Sequence, residues 1–412
     1  MIRNYLHVKL WRTEMIDQLV SKRDCCGCKA CGDICPAGAI NYKIDRAGFW
    51  SPEVDMENCI KCKKCVNACP VIHKHKSEDD AVACYGAINK DDEVREYSTS
   101  GGIFSILASY IIKKQGIVVG AAYVNNTAKH IIIDNEKFLD KIRKSKYVQS
   151  DLDGIYQKVK QVLNENRLVL FSGTPCQIEA LYNFLGKKYD TLYTIDLICC
   201  GVPSPKAFSY YLKELGDKYK APVEFVWFKN KEFGWHNLGT KIVFKNGKKY
   251  FKTGNRDYFM SDYIVDGLTI RSSCASCRFR CVPHRADITL GDFWGVENLY
   301  PQYNDEKGTS AVIVNTPKGN YLFEQIKNEM IFFDVSINDI KKGNFALYKS
   351  KEENVNKDCF FEELDDIGFF AASRKYGSYK GLRKLIIDLK FIINKYFRRK
   401  RNVQSINDKR CV

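Results

Sequence analysis

The sequence predicts an α/β body on a mostly parallel mixed sheet, with a small α+β domain ahead of it and a basic amphipathic helix at the end. Three observations predict this. One cysteine spacing occurs twice near the N-terminus, strand-length apolar runs alternate with helical ones from Ala81 onward, and apolar residues recur at three- and four-residue steps among Lys and Arg from Leu382. The implied organisation is a leader over 1–23, a cysteine-rich domain over 24–72, a linker over 73–80, a body over 81–345 and a C-terminal extension over 346–412.

The doubled run is Cys25-x-x-Cys28-x-x-Cys31-x-x-x-Cys35-Pro36 and Cys59-x-x-Cys62-x-x-Cys65-x-x-x-Cys69-Pro70. Such a loop wraps three thiolates around one iron-sulfur cubane, and in bacterial two-cluster ferredoxins the fourth cysteine of each run ligates the other cluster. On that rule Cys25, Cys28, Cys31 and Cys69 hold one 4Fe-4S cluster, and Cys59, Cys62, Cys65 and Cys35 hold the second. Cys26 is left spare. Structural zinc prefers two cysteine pairs, often with His, and needs no third closely spaced cysteine. Disulfides fit poorly in a chain with no export signal. Residues 24–70 therefore resemble the bacterial two-cluster ferredoxins.

Composition narrows the remaining classes. The chain has 412 residues, 18 Cys and a formal charge of +16. Residues 373–412 alone hold thirteen Lys or Arg against Asp388 and Asp408, so most of the excess is one tail. Nucleic-acid binding by the body has little support. No run is long enough to span a bilayer, and the expected location is cytoplasmic. The leader has no metal ligand, and a chain beginning at Met15 is expected to lose little. The segment His73 to Asp80 is polar and reads as a linker.

Along the body, strands are expected at Val82–Ile88, Ile117–Val124, Arg167–Phe171, Leu192–Ile198 and Ala311–Asn315. Helices are expected at Ile103–Lys114, Ile178–Leu185 and Tyr321–Lys327, with Phe138–Leu163 mostly helical and a further helix after Ser204-Pro205. Asn246-Gly247 marks a hairpin over Lys241–Phe251. There is no G-x-G-x-x-G and no Walker motif, so a nucleotide site of those kinds is not expected.

Nine cysteines lie outside the first domain. Cys176 and Cys199 follow successive strands, and ligands in open α/β sheets gather beyond the carboxyl ends of strands. With Cys274-x-x-Cys277 they make four donors for a third 4Fe-4S cluster. Cys200 and Cys281 are possible substitutes, and a small buried hydrophobe is the bland alternative for Cys176 or Cys199. Cys84, Cys359 and Cys411 stand alone.

Six segments then carry a resemblance: Ser98-Thr-Ser-Gly-Gly102, Ser145-Lys-Tyr-Val-Gln-Ser150, Gly173-Thr-Pro-Cys-Gln177, Asp196-Leu-Ile-Cys199 with Gly201-Val-Pro-Ser204, Cys274-x-x-Cys277 and Thr289-Leu-Gly-Asp-Phe-Trp-Gly295. Over Asp24 to Glu329 the chain resembles the beta-subunit family of coenzyme F420 hydrogenase and dehydrogenase. The resemblance implies FAD beside the clusters, with Ser100, Gly101, Gly102, Lys146, Tyr147, Gln149, Gly173, Thr174 and Gln177 as its binding residues. The glycines at a helix start could offer anion-binding amides, or form only a tight turn. Cys200 departs from the His common in relatives, and no residue is assigned as catalytic proton donor.

The expected activity is that of a flavin oxidoreductase. Low-potential electrons pass through the clusters to FAD and reduce a small organic substrate, with a polysaccharide precursor suggested by the family's bacterial members. The alternative is a non-catalytic electron-transfer subunit of a hydrogenase or dehydrogenase. The expected partner is a ferredoxin or a dehydrogenase subunit, with no nucleic acid. In the tail, Leu382, Leu385, Ile386, Leu389, Ile392, Ile393, Tyr396 and Phe397 alternate with Arg383, Lys384, Lys390, Lys395 and the basic residues at 398–401. The pattern implies either peripheral contact with an anionic membrane at its inner face or a helix packed on the body.

Overall fold

The computed structural model describes residues 14–75, 81–390 and 392–393. The small N-terminal unit holds one antiparallel hairpin, β1 (Ile40–Ile44) and β2 (Trp50–Val54), and two short helical turns, Ala30–Asp33 and Lys64–Asn67. Its core joins Met15, Ile16, Val20, Val54, Val66 and Val71 to Cys31, Cys65 and Cys69. Residues expected in the leader thus belong to this core. Ile16 is 1% exposed, and Asp17 accepts the Val54 N–H at 2.9 Å. Residues 1–13 lie outside the described residues.

The start of the expected linker is tied to the body. The His73 carbonyl accepts from Asn183, and the His75 N–H donates to Glu179 at 2.6 Å. Residues 76–80 are outside the described set.

The body begins with β3 (Ala83–Asn89), α1 (Ile103–Lys113), β4 (Ile117–Val124), β5 (Thr127–Ile133), α2 (Ile155–Asn164), β6 (Val169–Gly173), α3 (Pro175–Leu185), β7 (Leu192–Leu197) and α4 (Pro205–Tyr219). Next come β8 (Val223–Asn230), β9 (Gly239–Phe244) and β10 (Lys249–Thr253), a separate antiparallel sheet. The chain continues through β11 (Ile288–Asp292), β12 (Ser310–Val314), α5 (Pro317–Ile326), β13 (Met330–Asp334), α6 (Lys357–Ile367) and α7 (Phe369–Tyr376).

The large sheet has eight strands in the order β13-β3-β12-β11-β7-β6-β4-β5. Its centre, β11-β7-β6-β4, is parallel. Both flanks are antiparallel, so the sheet is mixed, with less parallel character than the sequence predicts. One reason is β5, which returns beside β4 through Asn125 and Asn126, both at positive φ. That is the backbone a two-residue hairpin requires. The parallel strands β6 and β7 are buried almost throughout, which fits their near-continuous apolar runs.

The sequence also places a boundary at 345/346, whereas α6 and α7 pack into the body. Phe360 and Phe369 are fully buried in one core with Tyr211 of α4, and the Tyr211 and Phe369 rings lie 5.3 Å apart. A helical segment then runs over 381–390. Residue 391 and residues 394–412, which include Lys395, Tyr396, Phe397 and the basic run at 398–401, are outside the described residues. No described helix is long and apolar enough to cross a membrane.

Candidate redox site

The cysteine runs fold as two matching loops. Lys29 and Lys63, at equivalent positions, take left-handed φ values of 64° and 62°, and each opens a helical turn carrying the third cysteine of its run. The thiols gather in two sets. Burial raises Cys31 and Cys69, and each also feels the Cys25 thiolate; Cys28 feels Cys31 and Cys69 after Cys26 and burial. Burial likewise raises Cys65, with Cys35, Cys59 and Cys62 adding to it. Cys69 thus influences Cys28 and Cys31 of the first run and Cys35 influences Cys65 of the second, while Cys65 also reaches Cys31 and Cys69.

Among the described residues, no three His, Cys, Asp or Glu side chains close on a single metal-ion position. A 4Fe-4S cubane takes one thiolate at each iron, which is a wider arrangement than single-ion binding. Backbone N–H groups already reach candidate ligand sulfurs: Gly27 to Cys25 at 3.4 Å, Ala39 to Cys35 at 3.3 Å and Gly201 to Cys199 at 3.4 Å. Bonds of this kind help set a cluster's potential.

The first set faces the body. Gly27 has φ +67°, and a Cβ there would collide with Gln149 and lie 2.8 Å from Arg271 Nη1. Only glycine allows this approach. The Arg271 guanidinium donates to the Cys25 carbonyl at 2.6 Å, the Trp50 carbonyl at 2.7 Å and Gln149 Oε1 at 2.9 Å. Sequence reasoning missed Arg271. It also left Cys26 spare, whereas the Cys26 thiol lies where Cys176 and Cys28 both influence it. Cys176 lowers it, but Cys28 and burial leave it well above the ordinary value.

The second constellation comes together beyond the sheet. Cys176 follows β6 and Cys199 follows β7, parallel neighbours in which Gly173 pairs with Asp196. Burial raises Cys199, as do the nearby Cys274, Cys176 and Cys277 thiols. Burial and the same neighbours push Cys274 up to about 12. Gly201, at φ +110°, leaves room for Cys274, since a Cβ there would sit 3.1 Å from the Cys274 Cβ. The substitutes differ. Cys281 meets Cys277 only as the weakest of its influences, and Cys200 faces Lys229, Arg280 and Asp292. Cys84 lies in β3, Cys359 is exposed, and Cys411 is outside the described residues.

Cys200 opens onto a basic, aromatic region. Lys229 of β8 pairs with Asp292, at the carboxyl end of β11, at 2.5 Å. Its ammonium lies 5.3 Å from the Trp294 ring and 5.6 Å from the Tyr147 ring. Lys144 lies 4.8 Å from the Trp227 ring, which stacks on Tyr97. The expected flavin residues divide here. Ser145 meets Thr99 at 3.2 Å, which brings the Lys146 and Tyr147 loop beside Ser100, Gly101 and Gly102 at the start of α1. The Gly101 N–H is already taken by Ser310 Oγ at 3.0 Å. Lys146 turns its ammonium onto the Arg143 and Lys144 carbonyls, and burial, with Lys144 beside it, lowers its pKa to about 7.

The other expected residues belong to the frame around the cysteines. Gln149 holds Arg271, while Thr174 and Gln177 form the capping box of α3, which presents Cys176. Gly173 ends β6 at the same turn. A substitution tests the clamp. Arg271→Met would leave the Cys25 and Trp50 carbonyls without their donor, and at about 1–3 kcal/mol each the loss should be about 2–6 kcal/mol. Urea unfolding checks it, and an unchanged midpoint would show that the clamp carries no stability.

With this geometry in hand, comparison with known proteins gives two matches along the chain. Residues 166–358 match the family model for the C-terminal region of the coenzyme F420 hydrogenase/dehydrogenase beta subunit, and residues 24–72 match a 4Fe-4S dicluster domain. A chain from the F420-reducing NiFe hydrogenase complex of Methanosarcina barkeri is 17% identical with a TM-score of 0.45, covering 75% of this chain and 99% of that one. No curated protein matches. The protein is an iron-sulfur electron-transfer protein related to hydrogenase and dehydrogenase beta subunits. Residues 166–358 are thus similar to the C-terminal region of the coenzyme F420 hydrogenase/dehydrogenase beta subunit, and a 4Fe-4S dicluster domain lies ahead of them over residues 24–72.

Proposed function

We propose that the chain is a flavin oxidoreductase that carries single electrons inward through three 4Fe-4S clusters and reduces a small organic substrate. The observation that carries this reading is the convergence of Cys176 and Cys199, at the ends of the paired strands β6 and β7, with Cys274 against Gly201, beside the seam where Arg271 ties the Cys25 loop to the body. On this reading Cys25, Cys28, Cys31 and Cys69 hold the inner cluster, and Cys59, Cys62, Cys65 and Cys35 the outer one. Cys176, Cys199, Cys274 and Cys277 hold the third. The adjacent Cys199 and Cys200 then separate cluster from substrate side.

FAD fits the basic, aromatic region. Trp227 Nε1 is a buried donor with no hydrogen-bond partner beside Lys144, and an anionic aromatic ligand would satisfy it. When bound, FAD collects electrons singly and delivers a pair. Lys146, Tyr147 and the start of α1 would hold it, with Lys229 and Asp292 facing the reacting side. Substrate would enter there. The class we carry forward is a polysaccharide precursor, on family resemblance alone.

The C-terminal helix supports a place at an anionic membrane surface. Asp388 is tied to the body through Arg256 at 2.7 Å and Tyr379 at 2.9 Å. Leu382, Leu385, Ile386 and Leu389 remain between 43% and 72% exposed. The helix is thus held by a polar contact while its apolar side stays open. Such a face can sink to the headgroup boundary, with each nearby Lys or Arg adding about 1 kcal/mol against anionic lipid.

Three measurements test this account. Anaerobically reconstituted protein should hold about twelve iron atoms, falling to about eight in the Cys176→Ser/Cys274→Ser variant. A wild-type value of eight removes the third cluster. FAD should quench on binding, with affinity strongest below pH 7. Lys146 loses its proton as pH rises through about 7, so apparent affinity should drop about tenfold from about pH 6 to about pH 8. Lys146→Gln should flatten that dependence. Protein that binds clusters but no FAD is an electron-transfer subunit instead. Finally, full-length protein should sediment with anionic vesicles at low salt and a truncation ending at Tyr379 should not. Equal behaviour of the two would sink the membrane contact.

A further inference from the structure

The two cysteine runs share one spacing but have opposite surroundings. In the first, the positions beside the ligands are Cys26, Gly27, Lys29 and Ala30, and the body covers all of them. Cys26 packs against a core of the body, Gly27 has no room for a Cβ, Lys29 pairs with Asp151 at 2.7 Å, and Ala30 is fully buried. The same positions in the second run are Ile60, Lys61, Lys63 and Lys64. Ile60 is 65% exposed, and Lys61, Cys62 and Lys64 are exposed with it. An open groove of about 570 Å³ adjoins this face, running from Cys35 and Lys64 to Lys160 on α2.

Charge on this face is unbalanced. Asp55, Glu57 and Glu165 stand against Lys61, Lys63, Lys64 and Lys160, with Asp55 bonded by Asn58 and the Lys63 ammonium on the Glu14 carbonyl. The Asp33 carboxylate at the groove is occupied by the N–H groups of Gly154 at 2.8 Å and Tyr156 at 3.0 Å. An exposed apolar side chain ringed by lysines beside an accessible ligand sulfur suits a partner with an acidic rim. Cys28 and Cys31, by contrast, are each 8% exposed.

We propose that this face is where electrons enter. It would dock a one-electron carrier protein with an acidic surface, Ile60 making the central contact and Lys61, Lys64 and Lys160 steering the approach. The inference rests on the reading that Cys35, Cys59, Cys62 and Cys65 hold a cluster. The carrier is oxidised by one electron and that cluster reduced by one, with no bond made or broken.

The test is stopped-flow reduction of the reconstituted full chain by two donors, a photoreduced flavodoxin of acidic surface and the methyl viologen radical cation. Lys61→Glu/Lys64→Glu should slow the flavodoxin reaction about tenfold or more at low salt. The gap should close at high salt, with viologen rate and iron content retained. Lys160→Glu, away from the ligand loop, decides the matter if the double variant loses iron. A reversal on the distant hairpin turn, Lys245→Glu/Lys248→Glu, serves as the control. An unchanged flavodoxin rate, or an equal fall in that control, overturns the entry surface. If neither donor reduces wild type, the cluster reading falls with it; if both do, insensitivity overturns the surface alone.

Discussion

The structure depends on one buried cation. Arg271 sits at the meeting of the small unit and the body and satisfies two carbonyls of the former and an amide oxygen of the latter. Buried polar backbone left without partners costs more than most single contacts return. The small unit can therefore rest against the body only in the register that brings Cys25, Trp50 and Gln149 to the same guanidinium. That register also presses Gly27 against Gln149 and sets Cys26 where Cys176 influences it. Electron transfer falls steeply with separation, so the clamp that fixes this seam also fixes the gap an electron must cross.

The sheet contributes the second constraint. Because β6 and β7 are parallel neighbours, their carboxyl ends open on the same edge, and the turns that follow must deliver Cys176 and Cys199 to one place. Pro175 and the Thr174/Gln177 capping box start α3 directly after β6, which leaves no slack in the position of Cys176. Asp292 ends β11 on the far side of β7. The converging cysteines and the Lys229–Asp292 pair are thereby on neighbouring strand ends.

Much of this was legible in the sequence. The doubled spacing marked the 4Fe-4S dicluster domain, and apolar runs bounded by turn residues gave β4, β6, β7 and α1 close to their observed limits. What stayed hidden was non-local. Nothing in the neighbours of Arg271 shows that its partners Cys25 and Trp50 lie more than two hundred residues away, and Lys229 meets Asp292 only through packing of the small antiparallel sheet. Cys26 could have been read. Setting the two runs in register puts it opposite Ile60, and a cysteine replacing an apolar residue at a non-ligand position is a question to ask. The residues Gln149, Thr174 and Gln177 were linked to a cofactor because family motifs contain them, whereas here they brace the cysteines. β5 had its signal in Asn125-Asn126, but β8 and β13 carried none that separated them from loop.

The unequal covering of the two loops has a consequence for how the protein is made and maintained. A scaffold handing over iron and sulfide meets Cys62 at the surface of the folded chain, but Cys28 is packed into a core of the body. On the proposed ligand sets, the first run is filled most readily before the small unit docks, and the second keeps one ligand within reach afterwards, which gives maturation a preferred order.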